Sequence, residues 1–124
     1  MPEDYRSAAL RHYTDAEMLA EQKRYDNAGH LLGFAGECAI KSAIMAYSGT
    51  QPEHEHFPKL VDVARKKFNN MRDSCMRLAL SNDVFSGWRV EQRYDSTDTI
   101  DILSYEAWRR DARRLMGAAG LKQG

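Results

Sequence analysis

Residues Arg24–Tyr47, RYDNAGHLLGFAGECAIKSAIMAY, form the longest apolar run with a helical period in the chain. Asp26 and Asn27 at its head are N-cap types, and Ser48-Gly49 at its tail is a usual helix stop. At about 100° per residue, Gly29, Gly33, Gly36, Ile40, Ala43 and Tyr47 share one narrow band, with Ala28, Leu31, Leu32, Ala35, Ala39 and Ala46 filling the neighbouring half-turn. Only His30, Glu37 and Lys41 keep a polar strip. A helix apolar around most of its circumference is covered on two sides. Each mid-helix glycine costs roughly 1 kcal/mol relative to alanine, so three in one band signal a close approach by another backbone or a functional need for room.

Working outward, the residues before this helix read as a second one. It runs from about Pro2 or Glu3 to Lys23, with proline and acids at its start. Tyr5, Ala9, His12, Ala16 and Leu19 make its apolar stripe, so His12 reads either as a core histidine or as a site residue near neutral pH. The connection Arg24–Asn27 is short enough to make the two helices antiparallel neighbours.

Downstream, the loop SGTQPEHEHFP carries His54 and His56. An H-x-H pair invites a metal, but no further ligand has a fitting spacing, so a solvated loop and no metal are expected. A third helix is expected from Pro58 to about Ser81, with Leu60, Ala64, Phe68, Met71, Cys75 and Leu78 inward and Arg65, Lys66, Lys67, Arg72 and Arg77 on the solvated side. Asn82-Asp83 ends it, and DVFSGWRVEQRYDSTDTIDIL reads as an ordered loop that buries Val84, Phe85, Trp88, Val90 and Tyr94. The last helix starts near Thr99 or Ser104, capped by Asp98 or Ser104, with Tyr105, Trp108, Ala112, Leu115 and Ala119 facing the core. No strand period of useful length occurs. The expected fold is all-α, an up-and-down bundle of four principal helices with an ordered aromatic loop before the last, forming one domain over residues 1–124.

Composition fits that reading. Hydrophobic residues make up 43% and charged residues 29%, and eighteen basic side chains balance eighteen acidic ones, so global charge gives no support for a strong nonspecific nucleic-acid binder. No uncharged apolar run is long enough to span a membrane, and MPEDYR lacks a signal-peptide core. Cys38 and Cys75 fall on apolar stripes and read as reduced core thiols of a cytoplasmic protein.

Four blocks together carry a family resemblance. They are H-x-x-D-A-x-x-L at His12, Asp15, Ala16 and Leu19, R-Y-D-N-A-G-H-L at Arg24–Leu31, A-x-E-C-A-I-K-S-A at Ala35–Ala43, and W-x-V-x-x-R-Y at Trp88–Tyr94. In this order they resemble the HEPN family of small helical domains. The resemblance implies a helical bundle, frequent homodimers, and frequent pairing with a minimal nucleotidyltransferase or membership of a toxin–antitoxin pair. A subset of the family are metal-independent ribonucleases with an R-x(4–6)-H motif in the C-terminal half. No histidine follows His56 here. The two chance spacings, Arg6 to His12 and Arg24 to His30, lie in the first half.

Three functional readings follow. The leading one is a noncatalytic HEPN domain without cofactor, binding a nucleotide-type ligand, RNA or a protein partner. Its expected contact residues are His30, Glu37, Lys41, Trp88, Arg93 and Tyr94. Arg93 would supply a guanidinium and Trp88 an aromatic wall. In this loop Arg93 could equally be the ion-pair partner that Glu37 needs, pinning the loop without any chemistry. The second is a ribonuclease using Arg24 and His30, with histidine as proton acceptor. The third is a pure interaction module, which should show an exposed apolar face instead of a cavity near Glu37.

Overall fold

The structure, a computed structural model, describes residues 4–49, 52, 55–69, 75–81, 83–90 and 100–121. Five helices and, among the described residues, no strand make an all-α fold. They are α1 (Tyr5–Glu21), α2 (Tyr25–Ser48), α3 (Lys59–Phe68), α4 (Cys75–Ala79) and α5 (Ile102–Ala118). No described helix is long and apolar enough to cross a membrane.

The helix ends show what local chemistry decides. Asp4 caps α1 by accepting from the Ser7 amide at 3.0 Å, and Asp101 caps α5 through the Ser104 amide at 2.8 Å. Asp101, midway between the anticipated Asp98 and Ser104, is therefore the true cap. Gly49 closes α2 in the left-handed conformation at φ 71°, as its position suggested. The α1–α2 turn is Gln22–Arg24, slightly earlier than expected, with Lys23 at φ 59° and the Arg24 amide donating to the Leu19 carbonyl.

Asp26 is not the cap of α2. It lies inside the first turn, and its carboxylate accepts from the Ile100 amide at 2.9 Å. It thus ties the approach to α5 onto α2. Asp26→Ala is expected to lower stability by about 1–2 kcal/mol, the cost of stranding a part-buried amide. Urea denaturation measures this, and an unchanged midpoint would show that solvent replaces the carboxylate.

α1 and α2 pair antiparallel, with Tyr5 opposite Lys41 and His12 opposite Phe34. α5 covers the other side of α2, where the glycines lie. A side chain at Gly29 would meet the Trp108 ring at 2.9 Å, one at Gly33 the Trp88 ring at 1.9 Å, and one at Gly36 the Phe85 ring at 2.6 Å. The close approach is therefore made by three aromatic rings, not by a backbone. The exchange is favourable. Burying a ring of roughly 150–250 Å² contributes about 4–6 kcal/mol at 25 cal/mol per Å², against roughly 1 kcal/mol for each glycine.

The third expected helix is described as two. α3 keeps its inward face, with Leu60, Ala64 and Phe68 buried, whereas α4 turns Met76 and Ala79 inward and the buried Leu80 follows it. Cys75 and Leu78 are consequently exposed, Leu78 by 71%, contrary to the continuous stripe; Met71 and Arg72 lie outside the described residues. Cys38 is half-buried, and both cysteines are reduced. Tyr47, on the glycine band, is also exposed because it lies at the far end of α2, beyond the aromatic rings.

Candidate functional site

The polar strip of α2 lies inside the protein. His30 is 8% exposed, Glu37 2% and Lys41 8%. Helical spacing places Phe34 between them, and the Phe34 ring collects three imidazoles: His30 at 5.0 Å, His12 at 5.9 Å and His56 at 6.2 Å between ring centroids. Strip, phenylalanine and imidazoles together are the candidate site.

Glu37 is its electrostatic centre. One carboxylate oxygen lies 2.9 Å from His56 Nδ1 and the other accepts from the Phe57 amide at 2.8 Å. Burial pushes the Glu37 carboxyl above its ordinary value, opposed by these two hydrogen bonds and by the charges of His56 and Lys41. Lys41, one turn on, places its ammonium 5.9 Å from the centre of the Tyr5 ring, a cation–π arrangement. The carboxylate thus acts as a latch that fixes the segment after α2 against the helix.

Trp88 packs on the adjoining glycine band and borders the strip, its ring 5.5 Å from that of Phe34. Its indole fills the gap at Gly33, donates from Nε1 to the Gly29 carbonyl at 3.0 Å and stacks on His30 at 5.3 Å. At 1% exposure it is a packing residue in this structure. Phe57 continues the layer by stacking on Phe85 at 4.8 Å. Phe85 adopts φ 53°, in the left-handed region, and its amide donates to Asp111 at 2.8 Å. Burial raises the Asp111 carboxyl, opposed by that amide.

The structure therefore brings His30, Glu37, Lys41 and Trp88 around one helix. Arg93 and Tyr94 lie outside the described residues. The residues that sequence reasoning missed are His56, Phe57, Phe34 and Tyr5. A signal for the first two existed: a buried carboxylate on α2 needs donors, and the next loop supplies an imidazole and an amide. Among the described residues no cluster of three metal-ligating side chains forms; His54 lies outside them.

The family model of the HEPN domain matches residues 2–121. The chain belongs to the HEPN family. No curated protein and no solved structure matches it. In this HEPN domain neither arginine–histidine spacing converges within the chain. Six residues along a helix rotate two side chains about 120° apart. Arg24 is exposed at the start of α2 while His30 is buried under Trp88, and Arg6 is exposed while His12 is half-buried on Phe34.

Desolvation and neighbouring Arg11 hold the His12 imidazole below its ordinary 6.5, with Asp15 opposing. The neutral ring is therefore favoured on folding. Its contribution is present above 6.5 and is lost as pH falls through the lowered folded value. Urea midpoints at a series of pH values should show wild type losing its advantage over His12→Gln as the solution is acidified. A pH-independent difference would remove His12 as the cause.

A separate groove lies between α1 and α5. It holds about 460 Å³ and is lined by Glu17, Glu21, Tyr25, Tyr105, Arg109 and Arg110, among others. Arg109 donates to Glu17 at 2.8 Å across it. Ile102, also in the lining, is 47% exposed, and its neighbour Leu103 is 74% exposed.

Proposed function

We infer that this HEPN domain is noncatalytic and works by binding, pairing with a second copy of itself through the α1–α5 face. One observation carries the reading: an exposed apolar pair, Ile102 and Leu103, beside a groove with both charge signs on its walls. An isologous interface meets itself about a two-fold axis, so it needs acids and bases in the same patch. Glu21 and Glu106 beside Arg110 meet that requirement, and the apolar pair supplies area that water disfavours.

The α2 strip supports the noncatalytic part. Its histidine, carboxylate and lysine are committed to Trp88, to the His56–Phe57 segment and to Tyr5. The same commitments disfavour a nucleotide held at the strip itself. The assembled pair is then available to a protein partner of the kind the family implies, a minimal nucleotidyltransferase or the other member of a toxin–antitoxin pair.

Sedimentation equilibrium is the test. Wild type should be dimeric at micromolar concentration, and Ile102→Asp with Leu103→Asp should be monomeric with an unchanged thermal melt. A monomeric wild type would overturn the pairing. Metal-free cleavage of single-stranded RNA that disappears in Arg24→Ala would overturn the noncatalytic reading.

A further inference from the structure

Charge is unevenly distributed along the chain. Basic and acidic side chains balance at eighteen each, yet residues 59–81 hold six basic and two acidic ones. Arg65, Lys66 and Lys67 occupy the last turn of α3, where the helix dipole favours cations. That preference does not explain why Arg77 of α4 comes to the same place. Arg65 and Arg77 together line a hollow of about 200 Å³ with Asn69 and Ser81. Its floor is Phe68 and Leu80, exposed by 2% and 1%.

The rim is ordered by backbone contacts. Arg65 Nε donates to the Leu80 carbonyl at 2.7 Å, which fixes the plane of the guanidinium at the hollow. The hollow is smaller than the usual small-molecule pocket, but it suits a single phosphate group. Tyr47, outside the lining itself, is 50% exposed and reaches the hollow's floor through Phe68, whose ring centroid lies 5.9 Å from its own. Paired guanidiniums next to an exposed aromatic ring combine the two elements by which proteins hold single strands: backbone charge and base stacking.

We propose that the α3–α4 hollow and the adjoining Tyr47 ring form a contact surface for single-stranded nucleic acid. Arg65 and Arg77 hold a backbone phosphate, Lys66 adds to the local field, and Tyr47 stacks a neighbouring base. The surface is separate from the α1–α5 face and does not depend on pairing.

Fluorescence anisotropy with labelled oligouridine and oligothymidine, competed by inorganic polyphosphate, tests it. Affinity should fall with salt. Lys66→Glu with Arg77→Glu should weaken binding about tenfold or more and lower the salt slope by about 0.7 per lost contact. Tyr47→Ala should weaken oligonucleotide binding about fivefold or more, leave polyphosphate binding unchanged, and be rescued by Tyr47→Phe. All three positions are solvent-exposed, and thermal melts confirm folding. Absence of binding at low salt would overturn the proposal, as would an inert Tyr47→Ala. Equal weakening by Arg11→Glu with Arg114→Glu, two exposed positions outside both the hollow and the α1–α5 groove, would overturn it too, by showing diffuse attraction. Sedimentation of the Lys66/Arg77 variant as a dimer separates this result from the fate of the pairing.

Discussion

Gly33→Leu is expected to leave the protein largely unfolded, and Gly33→Ala alone to cost about 3 kcal/mol or more. A single added carbon at Gly33 would stand 1.9 Å from the Trp88 indole, which is 1% exposed and anchored to the Gly29 carbonyl. The ring cannot move aside without breaking that bond and its stack on His30. For a domain of this size each kcal/mol shifts the melting temperature by several degrees, so Gly33→Ala should melt more than about 10 °C lower. Gly117 in α5 is the control. Nothing lies within 4 Å of a side chain there, so Gly117→Ala should stabilise by about 0.5–1 kcal/mol. If both substitutions behave alike, the Trp88 contact is not what the Gly33 position protects.

The second large effect belongs to Glu37→Ala, expected to cost about 3 kcal/mol. The substitution strands the buried Phe57 amide and leaves a void in α2. His56→Ala should cost at most about 1 kcal/mol, because that side chain is 49% exposed and its pairing is screened. The asymmetry identifies the amide as the main bond of the latch; equal costs would assign that role to the imidazole. The pH dependence has a definite sign. The raised Glu37 carboxyl contributes stability below its ordinary 4.5, and this is lost as pH rises through the folded value. The advantage of wild type over Glu37→Gln should therefore shrink from pH 4 upward, as differential melts will show.

Much of the fold was legible because α2 announces itself. Its period, its glycine band and Gly49 need no tertiary information. The occupant of the band was not legible, since Trp88 lies 59 residues beyond the carbonyl it bonds. Asp26 was misread for the same reason: a good cap residue was recruited by Ile100, 74 residues away. The even stripe from Leu60 to Leu78 implied one straight helix, but α4 takes its inward face from Met76 and Ala79 instead of Cys75 and Leu78. At the site, the need of Glu37 for a partner could be read from the strip. The partner's identity could not, because His56 sits in a loop with no period to place it. The Arg93 pairing concerns a residue outside those described.

The two tryptophans are the only indoles in the chain, and both lie in gaps of the same helix, Trp108 at Gly29 and Trp88 at Gly33. Both come from the second half of the sequence, whereas α1 and α2 are sequence neighbours that can associate early. Tryptophan fluorescence, excited at the red edge where tyrosine does not absorb, will therefore be blind to the closing of the α1–α2 hairpin in a stopped-flow refolding trace and will time only the arrival of the C-terminal half. Far-ultraviolet circular dichroism will register the hairpin as well. A lag between the two signals would measure how long α2 waits, half-covered, with its glycine slot open to water.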